Sequence, residues 1–158
     1  MQKGYVAEIF IADEAGAPMR SVDTVRAVKC AGLEGDRYAS EKGSFSNATR
    51  QTIRQVTLIA RELIFEANAE LSPTFTFEET RRNIVMSGIE PDKLIGTEFA
   101  IGSAWFFGIE ECSPCERPSK LSEKPGFKKA FQSFRGGIRA EALEGGVIRV
   151  GDPITAKK

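Results

Sequence analysis

The sequence contains no histidine. That absence excludes Ser-His and Cys-His nucleophilic catalysis and removes the commonest zinc ligand. It also lacks any uninterrupted run of about 18 apolar residues, the length a membrane-crossing helix requires. Met1-Gln2-Lys3-Gly4-Tyr5 passes straight into an alternating pattern, without a signal-peptide core. A soluble, cytoplasmic protein with no membrane partner is expected. Net charge is missing as well: 22 basic and 22 acidic residues cancel, so no overall field holds a nucleic-acid backbone or an anionic bilayer. A small anionic ligand in a local basic pocket stays compatible with that balance. Cysteine is scarce, and three cysteines cannot all pair within one chain, so they read as thiols and not as a disulfide framework.

What is present is enough apolar content, 41% of 158 residues, to bury one core, and a single domain over residues 1–158 is expected. Strand-forming residues dominate. Tyr5, Val6, Ile9, Phe10 and Ile11 predict a strand over 4–12, and an alternating run over 19–29 predicts a second that pairs with it as a hairpin. The polar, Gly/Ser/Asn-rich stretch 39–52 reads as a loop suited to cover a site. Residues 55–59 predict a short buried strand. The apolar spacing of Leu63, Ile64, Ala67 and Leu71 predicts a helix over 60–71, and Phe127, Ala130, Phe131 and Phe134 predict a shorter one over 127–134. Short strands are expected at 84–86, 94–96, 98–102 and 104–109. A final hairpin is expected between 138–144 and 147–150, turned by Gly145-Gly146 in type I′ geometry. Many short strands, few helices and no β-α-β alternation point to a mainly β (α+β) fold, a barrel with two or three short helices.

Two constellations carry chemistry. Cys112 and Cys115 are spaced Cys-x-x-Cys. A thioredoxin-type pair requires a strand, then a helix start, in a β-α-β context that this sequence does not present. A structural zinc site requires four ligands, and Cys30 is the only other cysteine. A single working thiolate, ligating a soft metal or carrying sulfur, is the third reading, beside two cysteines that merely fill core. The polar flanks Ser113, Pro114, Glu116, Arg117 and Pro118 argue against full burial, and Arg117 and Lys120 add positive charge nearby. The second constellation is Arg81-Arg82-Asn83 at the start of an apolar strand. Guanidinium forks and an amide there suit a phosphate or carboxylate, while the plain alternative pairs the arginines with Glu78 and Glu79 on a solvated face. Gly35-Asp36-Arg37 divides in the same way, between a glycine turn closed by a structural Asp-Arg pair and a backbone approach to a phosphate.

Taken in order, Gly32-Leu33-Glu34-Gly35-Asp36-Arg37-Tyr38, Arg54-Gln55-Val56-Thr57-Leu58-Ile59, Arg81-Arg82-Asn83-Ile84-Val85, Leu94-Ile95-Gly96, Ser113-Pro114-Cys115, and Gly136-Gly137-Ile138-Arg139-Ala140 with Gly145-Gly146-Val147-Ile148-Arg149-Val150-Gly151-Asp152 resemble the MOSC domain, named for the C-terminal domain of molybdenum-cofactor sulfurase. The resemblance runs across nearly the whole chain. It implies a closed barrel of the pyruvate-kinase barrel type with a shallow groove at one end. It also implies that Cys115 is the functional cysteine, as molybdenum ligand or persulfide carrier, and that Arg81 and Asn83 contact the anionic part of a molybdenum-pterin cofactor. Arg82, Gly35, Asp36, Arg37 and Lys120 complete the expected cofactor-binding set. Relatives reduce N-hydroxylated compounds, with electrons from a separate flavin or haem partner, since this chain offers no haem or flavin site of its own. A cysteine desulfurase is the partner expected for sulfur transfer. Longer relatives add an N-terminal β-rich subdomain that helps enclose the cofactor, and the sulfurases add an aminotransferase-like domain that uses pyridoxal phosphate. These residues resemble neither, so a pyridoxal phosphate label would be inherited from the family. The reading of a different kind is a non-enzymatic barrel that binds a small anion or a partner with an inert cysteine.

Overall fold

The computed structural model describes residues 3–40 and 55–157. Eleven strands and three short helices follow in order: β1 (Lys3–Ile11), β2 (Arg20–Val22), β3 (Thr24–Val28), β4 (Gly32–Leu33), β5 (Val56–Ala60), α1 (Arg61–Asn68), β6 (Ile84–Ser87), β7 (Glu98–Ile101), β8 (Ala104–Glu111), α2 (Arg117–Ser122), α3 (Phe127–Ala130), β9 (Ile138–Glu144), β10 (Gly146–Arg149) and β11 (Pro153–Ala156). Single 3₁₀ turns occupy Glu78–Thr80 and Pro91–Leu94. One sheet runs β11-β7-β8-β9-β5-β6-β1-β2, and β11 also pairs with β1, so seven strands close into a barrel with β2 as an extra strand on its wall. The closing seam sets Lys3 opposite Thr155 and Tyr5 opposite Pro153. A small second sheet orders β10-β3-β4. The mainly β, closed-barrel expectation matches this architecture.

The barrel core follows from the two-residue period of its strands. Val56 and Leu58 of β5, Ile84 and Met86 of β6, Phe99, Phe106 and Ile138 all pack inside. The residues between them face outward. Ile59 and Val85 meet Phe10, Ile64, Ala67, Phe75, Phe127 and Phe131 in a second apolar cluster beneath α1 and α3. There Phe127 and Phe131 stack with ring centroids 4.2 Å apart. Strand β5 is therefore buried along its whole length, covered on both faces, with Thr57 its one polar residue.

Five expectations change. Strands β5 and β6 pair in parallel, Leu58 opposite Ile84, and α1 lies in the connection between them, so one β-α-β unit is present inside the barrel. The run 19–29 divides at Asp23: β2 pairs with β1, Ile11 opposite Arg20, while β3 departs to the second sheet. The closing hairpin does not form. β9 pairs with β5 and β8, whereas β10 pairs with β3. Neither Gly145 nor Gly146 has the positive φ that a type I′ turn requires. These glycines serve close approach instead: a Cβ on Gly145 would sit 2.8 Å from the Ala27 carbonyl, and one on Gly146 2.7 Å from the Ser103 backbone. Finally, 94–96 is the end of a 3₁₀ turn with a single bridge, Ile95 to Gly108, and not a strand. The helix expected over 127–134 stops at Ala130, and Ser133 and Phe134 turn into the left-handed region with φ of 61° and 66°. The covering role expected of residues 39–52 falls almost wholly outside the described residues.

Candidate functional site

Strands β8, β9, β5 and β6 are consecutive neighbours, and the ends that bear the sequence motifs converge. Glu111 at the end of β8 lies opposite Ile138 at the start of β9, Arg139 lies opposite Thr57 of β5, and the Asn83 N–H donates to the Thr57 carbonyl at 3.2 Å. Thr57 and Arg139 alternate with core residues, so their side chains stand on the outer face of the wall. Over that face, beside the loop from β8 to α2, lies a cleft of about 100 Å³. Its lining includes Cys112, Ser113 and Cys115 from the loop and five arginines: Arg37, Arg81, Arg82, Arg117 and Arg139. Among the described residues no carboxylate lines it.

The two cysteines differ in exposure. Cys112 is 4% exposed, and its N–H is anchored to the Gly137 carbonyl at 2.8 Å, whereas Cys115 is exposed at the rim. The loop follows a strand and precedes a short helix, yet β8 and β9 are antiparallel, so a thioredoxin-type β-α-β setting is absent here. No group of three or more histidine, cysteine or acidic side chains able to hold a metal occurs among the described residues. No helix among them is long and apolar enough to cross a membrane.

The arginines fall into two kinds. Arg37 is paired with Asp36 at 3.0 Å, with both side chains buried, and Arg139 with Glu110 at 3.1 Å. Asp36 also accepts from the Ala12 N–H at 3.0 Å, so the glycine turn, the Asp-Arg pair and the cleft are one structure: the carboxylate fixes Arg37 against β1 while its guanidinium lies 4.6 Å from the Tyr38 ring centre. Arg81, Arg82 and Arg117 have no carboxylate partner among the described residues. Arg82 is buried and donates only to carbonyls, those of Gly136 at 2.7 Å, Thr80 at 3.3 Å and Cys112 at 3.4 Å. The expected alternative of pairing with Glu78 and Glu79 is not found, because Glu79 pairs with Lys124 at 2.6 Å.

Arg81 is the most burdened. It sits at φ 64°, an uncommon conformation for a residue with a side chain. Its Nη1 donates to the Ala17 carbonyl at 2.8 Å, and its Nη2 is buried with no partner among the described residues. Burial first, then the neighbouring Arg37 and Arg117, lower its pKa to about 10. Such a cation is poised for an anion.

Of the expected site residues, Arg37, Arg81, Arg82 and Cys115 line the cleft. Asn83 is fully buried behind it: its Oδ1 accepts from the Thr57 N–H at 3.1 Å and Oγ1 at 3.2 Å, and its Nδ2 donates to the Phe10 carbonyl at 3.1 Å. Asp36 stands behind Arg37, Gly35 turns the chain at φ 87°, and Lys120 is exposed outside the lining. Sequence reading did not single out Arg139, Tyr38 and Thr57 as site residues. The signal for Arg139 was its place as a charged residue in the apolar alternation of β9.

A closed mixed barrel with an arginine-lined, thiol-bearing cleft on its wall defines the class of protein. The chain belongs to the MOSC domain family, which matches over residues 42–155. The fold is shared with the YuaD protein from Bacillus subtilis (TM-score 0.81, 19% identity, covering 98% of this chain and 95% of that one). It is shared also with YiiM from Geobacillus stearothermophilus (0.76, 16%, 98% and 75%) and YiiM from Escherichia coli (0.72, 17%, 98% and 70%). No curated protein matches the sequence.

Proposed function

We propose that the cleft is an anion-binding thiol site that holds a molybdenum-pterin cofactor or accepts sulfur for a metal-sulfur centre, with Cys115 as the reacting group. One observation carries the reading: an exposed thiol and five guanidiniums, three of them without a carboxylate partner among the described residues, face one small volume. The donor set fits the cofactor, since guanidiniums suit its anionic end and a thiolate is a soft metal ligand. The volume of about 100 Å³ accommodates that end group alone, well below the roughly 300 Å³ or more of sites that enclose whole ligands. Arg81, Arg82 and Arg117 would hold the anion, with Arg37 and Arg139 restrained beside them by Asp36 and Glu110. Cys115 would be the protein's ligand to the metal. When bound, the cofactor supplies a metal centre of the kind that reduces N-hydroxylated compounds in relatives, with electrons from a separate partner.

The exposure of Cys115 favours the sulfur-transfer version equally, because a rim thiolate is open to a persulfide on a partner such as a cysteine desulfurase. Its attack on the outer sulfur forms the Cys115 persulfide and releases the partner's cysteine as thiolate. The deciding experiment compares the protein and Cys115→Ser, both purified from a molybdopterin-producing host, for molybdenum and for the fluorescence of oxidised pterin. Metal and pterin retained by the protein and lost from the variant support ligation. A mass increment of one sulfur on the Cys115 peptide, after incubation with a cysteine desulfurase and cysteine, supports transfer. Equal metal in both proteins with no increment leaves a binding module with an inert cysteine.

A further inference from the structure

The cleft contains a second thiol that neither version uses. Cys112 is buried yet lines the same volume as Cys115. Its backbone is fixed at both polar groups: the N–H donates to the Gly137 carbonyl at 2.8 Å, and the carbonyl accepts from Arg82 at 3.4 Å. Beyond it the chain is free. Among the described residues no hydrogen bond holds Ser113, Pro114 or Cys115, and the next backbone tie is the Lys120 N–H to the Glu116 carbonyl at 3.0 Å. One thiol is thus a fixed, solvent-shielded post, and the other rides a three-residue span able to shorten toward it.

We infer that Cys112 is a resolving thiol: it displaces sulfur carried on Cys115, releasing hydrosulfide into the arginine-lined cleft and leaving a Cys112–Cys115 disulfide. This deepens the sulfur-transfer reading and rests on it. The Cys112 sulfur attacks the inner sulfur of the Cys115 persulfide, and the new bond joins Cys112 Sγ to Cys115 Sγ. The bond to the terminal sulfur breaks, that sulfur leaves with the electron pair as hydrosulfide, and the proton of Cys112 passes to solvent. No external oxidant enters, since the oxidised state of the persulfide passes to the disulfide. A small thiol of the glutathione class returns the pair to dithiol by two exchanges. The leaving anion forms beside Arg82 and Arg81, whose charges no carboxylate among the described residues neutralises, so the developing charge meets uncompensated guanidiniums.

Chemistry at the third cysteine does not interfere. Cys30 is exposed in a turn following β3 and is not part of the cleft lining. It can therefore be replaced to give a clean background.

The test uses the full chain carrying Cys30→Ser, treated with sodium polysulfide, desalted and left to stand. Hydrosulfide is read by methylene blue and the 112–115 peptide by mass. The expected result is stoichiometric hydrosulfide, with loss of the added sulfur and of two hydrogens from the peptide. Adding Cys112→Ser should leave the extra sulfur on Cys115 and abolish release without a thiol reductant. If Cys112→Ser releases hydrosulfide as fast as its parent, the resolving role is overturned while Cys115 stands as carrier. If Cys115 in the parent takes up no sulfur at all, the sulfur-transfer reading itself fails, and this inference with it. Cys112→Ala is made alongside. Unchanged thermal unfolding in either variant, with sulfur retained, excludes a collapsed cleft as the cause.

Discussion

Arg81 concentrates costs that a free protein has no reason to keep. Its Nη2 is buried with no partner among the described residues, and its pKa is lowered to about 10, chiefly by burial. The unfolded chain binds that proton more tightly than the folded one, so the penalty is fully present at neutral pH and lifts only as pH rises above about 10. An anion lifts it at neutral pH instead. Inorganic phosphate should therefore raise the melting temperature of the protein, and Arg81→Met should lose most of that rise. The ligand-free stability of the variant should stay within about 1 kcal/mol, the worth of the lost bond to the Ala17 carbonyl. Differential scanning fluorimetry with and without phosphate reads both. Asn83 makes the opposite case. Replacement by alanine strands the Thr57 N–H and the Phe10 carbonyl in the interior, a loss of about 3 kcal/mol. Urea unfolding should show it as a lower midpoint at unchanged slope. Both residues stood out in the sequence because arginines and an amide beside an apolar strand demand partners. Which of them would face the cleft was not legible, since that depends on the strand alternation at 82–84 and on a carbonyl from residue 10 on another strand. Arg139 escaped notice for the same reason: only the pairing of β9 with β5 and β8 shows what an outward arginine there can reach.

Among the elements, the most legible were those whose signal is local. The apolar spacing of Leu63, Ile64 and Ala67 placed α1, and the strands at 98–101 and 104–111 were marked by aromatic content and by the Gly102-Ser103 turn. Pairing is a different matter, because a strand carries no record of its neighbour. Gly145-Gly146 invited a hairpin, yet the glycines are needed where β10 passes the Ala27 and Ser103 backbones. The parallel pairing of β5 and β6 was hidden because its connection combines a short helix with an irregular stretch containing Pro73, not one continuous helix. Gly137 illustrates how tightly such contacts bind the site to the wall. It lies at φ 89°, a Cβ there would overlap the Leu58 carbonyl, and its own carbonyl accepts from Cys112. Gly137→Ala should therefore cost about 3 kcal/mol through strain and overlap together. It should also disturb the cysteine loop, raising the rate at which Cys112 reacts with a thiol reagent under native conditions. A variant of normal stability with Cys112 still shielded would contradict this account of the loop's anchor.

At the scale of the whole molecule, the formal charge is zero, yet the cleft is strongly cationic. The two facts belong together. The pairs Arg135 with Glu66 and Glu70, and Lys124 with Glu79, neutralise charge over the wall, while Arg81, Arg82 and Arg117 keep theirs for the cleft. A field confined in this way reaches only about one Debye length, roughly 10 Å at 0.1 M salt and 3 Å at 1 M. It attracts a small anion that enters the cleft and has no means of holding a long polyanion along the surface. Phosphate affinity should consequently fall several-fold between low and high sodium chloride, and Arg81→Met should flatten that dependence. Unfolding in the absence of phosphate should respond to salt much less, because the core that holds the barrel closed is apolar, from Val6 and Ile154 at the seam to Phe99 and Phe106. Calorimetric titration of phosphate at several salt concentrations, beside melting curves at the same concentrations, separates the two. Duplex DNA added at physiological salt should not compete for the cleft, and competition as strong as that of free phosphate would show that the cationic field extends beyond the cleft.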